Sequence, residues 1–128
     1  MTYQIASGHD NAGGLATVTP QPASPGILYP RRIYAASGAV YEDGTPYTLW
    51  VYSDILTADQ YDALLTAFGL TAAVSALVTV RTISGEDRTT YTTYNARIVR
   101  PRNGDTAKYA NGFWHDVVFV IREMEALA

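Results

Sequence analysis

From Thr57 to Gly69 the sequence TADQYDALLTAFG repeats its apolar residues with the period of a helix. Tyr61, Leu64, Leu65 and Phe68 fall at i, i+3, i+4 and i+7, which sets them on one face, while Asp59, Asp62 and Thr66 lie largely off it. Thr57 and Gln60 have the spacing of a capping box, and Leu56 with Tyr61 has that of a hydrophobic staple. Asp59 and Asp62 suit the positive end of the helix dipole. Gly69 supplies a left-handed stop, with Leu70 placed to fold back on Leu65. A helix of about three turns cannot bury its own stripe. It needs a sheet to lie on.

The remainder of the chain alternates as strands do. RRIYAASGAVYEDGTPYTLWVY, residues 31–52, is rich in aromatic and β-branched residues and is interrupted by Glu42-Asp43-Gly44, so a long hairpin turning at Asp43-Gly44 is predicted. Pro46 assigns that end of the hairpin to an edge or a projection. After the helix, Ala72–Ala76 fits a turn of helix or a loop, and Leu77–Ile83 a strand. Ser84-Gly85-Glu86-Asp87 is a turn and Arg88–Arg100 a strand, with Tyr94, Ala96 and Ile98 alternating against Thr93, Asn95 and Arg97. A loop from Pro101 to Gly112 precedes a last strand, Phe113–Glu123. That strand places Phe113, Val117, Phe119 and Ile121 on one face and Trp114, Asp116, Val118, Val120 and Arg122 on the other. Apolar residues on both faces predict an internal strand, or one pressed between layers.

Residues 1–30 lack such periodicity after a short strand at Tyr3–Ala6. Pro20, Pro22, Pro25 and Pro30 remove donors and bias their neighbours to extended geometry, which predicts an extended N-terminal arm, either disordered in the free protein or ordered by a neighbour. The expected organisation is therefore an arm over 1–30 and one domain over 31–128. The predicted fold is α+β, mainly β: an antiparallel β-sandwich or partly closed barrel with one flanking helix.

Composition narrows the function. A chain of 128 residues with 48% hydrophobic content holds one core. Charged residues are 16% and the formal net charge is -3, so the overall balance recruits neither nucleic acid nor an anionic membrane. Few charges beside ten tyrosines suit surfaces that meet other protein. The absence of cysteine removes disulfides, thiolate metal sites and cysteine nucleophiles. MTYQIASGHD lacks the basic segment and apolar run of a secretory signal, and no apolar run has membrane-spanning length.

Candidate chemistry is sparse, and no enzyme, cofactor or metal is expected. His115 and Asp116 are neighbours on a predicted strand and so point to opposite faces. His9-Asp10-Asn11 lies in a glycine-flanked arm with no second ligand pair. Ser37-Gly38 and Ser84-Gly85 lack a nucleophile-elbow frame and fit turns, while Gly8, Gly13 and Gly14 form no phosphate loop. Glu42, Asp43, Asp54, Asp59 and Asp62 are explained by turns and helix capping. Arg97, Arg100, Arg102 and Lys108 form one basic cluster, which fits a solvated strand end or an intersubunit salt bridge better than a phosphate site.

From about Arg32 onward, the order RRIYAASGAVYEDGTPYTLWVYSDILTADQYDALLTAFG, VTVRT, YNARIVRP and NGFWHDVVFVIREMEAL resembles small tail proteins of long-tailed bacteriophages and gene transfer agents. The resemblance is to the tail-tube fold of tube, distal tail and tail-tip ring proteins. It implies a virion tail protein made in the host cytoplasm, whose β-sandwich with one flanking helix assembles with identical subunits in six-fold rings. Sheet edges would join subunit to subunit, hairpins or arms would reach neighbouring tail proteins, and DNA would pass through the lumen without specific binding. Pro20, Pro25, Tyr29, Tyr41, Asp43, Gly44, Tyr47, Arg97, Arg100 and Trp114 are the candidate interface residues. Deleting residues 1–25 is then expected to weaken assembly and leave the monomer folded. The alternative reading is a monomeric carbohydrate-binding β-sandwich, with Trp50, Trp114 and nearby tyrosines as the sugar platform.

Overall fold

In the computed structural model, which describes residues 2–84 and 89–127, helix α1 spans Ala58–Phe68 and both of its ends are closed as the sequence dictates. The Gln60 amide donates to Thr57 Oγ1 at 3.2 Å, and the Thr57 amide donates to Gln60 Oε1 at 3.0 Å. Gly69 takes φ 75°, a left-handed conformation open to glycine at no steric cost, and the Leu70 amide donates to the Leu65 carbonyl at 2.8 Å. Tyr61, Leu64, Leu65 and Phe68 are all buried.

The strands are β1 (Gln4–Ser7), β2 (Ala16–Thr17), β3 (Arg31–Tyr34), β4 (Val40–Asp43), β5 (Thr48–Tyr52), β6 (Leu56–Thr57), β7 (Ser75–Ile83), β8 (Tyr91–Val99), β9 (Lys108–Ala110), β10 (Phe113–His115) and β11 (Val117–Ala126). Six of them form one antiparallel sheet in the order β2-β1-β7-β8-β11-β5, curled into a half-barrel. The inner-face side chains include Trp50, Val78, Val80, Ile98, Phe119 and Ile121, which share a core with the apolar face of α1. Phe68 meets Trp50 edge-on at 5.8 Å and Phe119 at 4.8 Å between ring centres. Such pairs add about 0.5–1.5 kcal/mol each beyond area burial. The fold is thus mainly β, a partly closed antiparallel barrel with one flanking helix, and β11 is internal to the sheet.

Three expectations change in detail. First, the last strand is broken in two. Asp116 takes φ 51°, which ends the ladder, and β10 joins a small sheet ordered β6-β10-β9. Its partner β9 lies inside the stretch predicted as loop. Asn111 and Gly112, at φ 54° and 82°, form the two-residue turn between β9 and β10.

Second, the hairpin turns at residues 35–39, through Ser37-Gly38, rather than at Asp43-Gly44. The Ala35 amide donates to the Ala39 carbonyl at 2.9 Å, and β3 pairs with β4 from Arg31↔Asp43 to Tyr34↔Val40. A tight hairpin turn of the predicted type needs two successive residues at positive φ. Asp43 is still strand, and only Gly44 is left-handed, at φ 98°. Gly44 is therefore a joint, where the ribbon leaves the main sheet. A Cβ there would lie 2.5 Å from Pro30 Cγ.

Third, the N-terminal arm is extended as predicted, but its own chain orders it. β1 pairs with β7 over four residues, and Tyr3, Ile5, Ala6 and Val18 are buried. The segment 23–28 runs along the outer margin of β5, with reciprocal amide–carbonyl bonds between Ala23 and Val51 and between Leu28 and Tyr47. The opposite margin is finished by the two residues of β2. The N-terminal segment and the rest of the described residues therefore share one sheet and one core, and deletion of 1–25 would remove an internal strand. The turn predicted at Ser84–Asp87 and the start of the following strand at Arg88 fall mostly outside the described residues.

Candidate functional site

The main sheet is lined along β5 by segment 23–28 and ends on the other side in the short, exposed strand β2, and the largest exposed apolar side chains lie elsewhere. β3 and β4 form a separate two-stranded ribbon that pairs with neither of the other sheets. It prolongs the pairing of segment 23–28 with residues 47–51 beyond the sheet. Alternation sets Ile33 and Tyr41 on one face of the ribbon and Tyr34 and Val40 on the other. All four are exposed, Tyr34 at 73%, so both faces at the tip are apolar and uncovered. Arg32 and Glu42 face each other below the tip, 3.9 Å apart and solvent-exposed, a pair worth little to stability. An isolated two-stranded ribbon is at best marginally stable in water. Burying four such side chains, at about 25 cal/mol per Å² of apolar area, is the gain a partner would offer it.

The ribbon's base opens a groove of about 740 Å³ lined by Pro30, Arg31, Gly44, Thr45 and Tyr47 on one side and Val120, Arg122 and Glu123 on the other. Among the sequence-predicted interface residues, Tyr29, Tyr41, Asp43, Gly44 and Tyr47 therefore cluster on the ribbon or its root. Pro20 and Pro25 lie on the extended segment against their own sheet, and the Pro20 carbonyl accepts the Tyr52 hydroxyl at 2.6 Å. The remaining three make intrachain contacts. Arg97 Nε donates to Glu123 Oε2 at 3.2 Å, and its Nη1 to Ser75 Oγ at 2.9 Å. Arg100 Nη1 donates to the Leu70 carbonyl at 3.3 Å, just past the helix C-terminus where a cation is favoured. Trp114 stacks on Tyr61 at 4.1 Å and 19°, with Tyr109 tilted against it at 5.0 Å.

Of the two tryptophans of the alternative sugar platform, Trp50 is a core residue and Trp114 is half-buried. Trp50 has no exposed surface, and its Nε1 donates to Thr82 Oγ1 at 3.0 Å. Trp114 has rings against it already. Ile33, Tyr34 and Val40 were not singled out by the sequence reading; apolar neighbours on both faces of a four-residue strand were the available signal.

Burial acts on three phenols. Burial, the nearby Tyr91 hydroxyl and a smaller opposing hydrogen bond to the Ser24 backbone push Tyr3 up to about 12. Burial also raises Tyr52 and Tyr61, the latter opposed by the Arg100 guanidinium. Among the described residues no three His, Asp or Glu side chains gather as a metal site requires, and no helix is long and apolar enough to cross a membrane. Comparisons with protein families, characterised proteins and solved structures return no match for this chain.

Proposed function

We propose that this chain is a virion structural protein, a ring-forming subunit of a phage tail that packs against copies of itself around a DNA-conducting lumen. The observation that carries the reading is the ribbon Arg31–Asp43, which presents apolar side chains on both faces and stands off its own core. A ribbon of this kind is stabilised when a neighbour covers it. The resemblance to tail proteins implies a mainly β fold with one flanking helix, and the half-barrel is of that class. With β5 lined by segment 23–28 and the opposite margin reduced to the two exposed residues of β2, the ribbon and its root supply most of the contact surface, and pairing between sheet edges is confined to β2. A formal net charge of -3 suits a conduit that must let DNA pass without holding it. Other tail proteins would meet the completed ring.

Light scattering coupled to size-exclusion chromatography, over a rising concentration series, tests this directly. The expected result is a concentration-dependent oligomer that appears as rings or tubes by negative-stain microscopy. A single copy at every concentration overturns it. The double substitution Ile33→Ser, Tyr41→Ser is expected to abolish the oligomer and leave the far-ultraviolet circular dichroism unchanged, because neither residue belongs to the core.

A further inference from the structure

Asparagine followed by glycine occurs twice in the chain, at Asn103-Gly104 and Asn111-Gly112. In such a pair the glycine amide nitrogen can attack the asparagine Cγ, because a residue without a Cβ leaves its own amide open to approach. The two pairs lie at opposite ends of β9, and the fold holds them differently. At Asn103 both reacting groups are tied down. The Gly104 amide donates to the Ala107 carbonyl at 2.7 Å, and Asn103 Oδ1 accepts the Tyr109 amide at 3.3 Å. Ala107, which closes this loop, is fully buried and anchors it to the core.

At Asn111 neither group is tied down. Asn111 and Gly112 are the two positive-φ residues of the β9–β10 turn, and both are exposed. A turn of this kind pairs its flanking residues, here Ala110 and Phe113, and leaves the amide between its central residues unbonded. Among the described residues the Gly112 amide and the Asn111 side chain have no hydrogen-bond partner. A Cβ built on Gly112 would meet nothing within 4 Å, so the space around the reacting nitrogen is clear. Ring closure takes Asn111 out of its left-handed conformation. The hairpin is three pairs long, and so short a hairpin opens locally at less cost than the main sheet.

We infer that Asn111 is a site of spontaneous deamidation in the folded protein, and that Asn103, the same dipeptide in the same chain, is protected. The Gly112 nitrogen bonds to Asn111 Cγ, its proton passes to solvent, and the side-chain nitrogen takes up a proton and leaves as ammonia. The product is a cyclic imide. Water opens that ring at either carbonyl, which gives aspartate or isoaspartate, each with a negative charge that the amide lacked. The two products differ in their effect on the hairpin. Aspartate before glycine suits the same turn. Isoaspartate reroutes the main chain through the side chain and adds a methylene to it, and the length of the turn sets the register of its strands. That register places Tyr109 opposite Trp114, which stacks on Tyr61 of α1. A change at an exposed turn therefore reaches the packing of the helix.

The full chain is incubated at mildly alkaline pH, in buffer and in parallel in urea, and both asparagines are followed by peptide mass mapping. The urea sample gives the ratio of the two rates without structure. Relative to that reference, Asn111 in buffer is expected to convert about tenfold or more faster than Asn103, because two hydrogen bonds must break at Asn103 and none at Asn111. A ratio in buffer no higher than in urea overturns the inference. So does an intact Asn111 in buffer once the urea sample has fully converted. The Asn111→Asp variant carries the charge without the methylene, and is expected to keep the tryptophan emission of the parent chain. The isoaspartate fraction, separated by chromatography, is expected to emit further to the red as Trp114 leaves its stack. Identical emission from the two overturns the link to the helix.

Discussion

Trp50 illustrates how single residues hold this fold. Its indole is enclosed between the sheet and α1, and the one polar atom it carries into the core donates to Thr82, itself fully buried. Thr82→Val keeps the shape and orphans that N–H, a loss of about 1–3 kcal/mol in urea unfolding. Three tyrosines extend the point to pH. A phenol whose folded value is raised favours the native state fully below about pH 10, its value in the unfolded chain, and that contribution is lost as pH rises towards the folded value. For Tyr3 the window runs from about 10 to about 12. Alkaline titration of tyrosinate absorbance is expected to show a late class of phenols, and stability falling in the same range. At this scale the sequence was legible where the reason is local: the Thr57 and Gln60 side chains and Gly69 do what their spacing requires. It was opaque where the reason is tertiary. Nothing in the sequence around Trp50 distinguishes a platform from a core, because its burial depends on a helix and a strand that arrive later in the chain.

At the level of elements, the helix and the internal strand β11 were legible from periodicity, and the breaks were not. Asp116 and Gly44 redirect the chain through backbone angles that no hydrophobic pattern announces. The loop Gly8–Gly14 is a similar case. It is fastened to the outside of β7 and β8 by Thr79 Oγ1, which donates to the Gly8 carbonyl at 2.8 Å and accepts from the Asn11 amide at 3.1 Å, while the Asp10 amide donates to Asn95 Oδ1 at 2.8 Å. Glycines and polar residues suggested freedom, and the hydrogen bonds supply the order. Thr79→Val removes the central link and is expected to speed hydrogen exchange at the Asn11 amide by tenfold or more, with β7 and β8 still protected. Equal protection before and after would show that the loop is held by other contacts.

For the molecule as a whole, the N-terminal segment and the ribbon have opposite standing. Residues 3–18 contribute two strands and four core side chains, so their removal is expected to unfold the protein. Replacing 31–43 by a short turn is expected to leave cooperative thermal unfolding intact. A strand order that interleaves early and late segments also has a consequence during synthesis. β5 meets the main sheet only through β11, and the stretch 53–116 separates them in the chain. At roughly 5–20 residues per second, the ribosome leaves β5 waiting on the order of 3 to 13 s for its partner. Throughout that interval the nascent chain already holds residues 23–28, which occupy the other side of β5. The proline-rich segment is thus available as a temporary guard against intermolecular pairing before it becomes a fixture of the finished sheet.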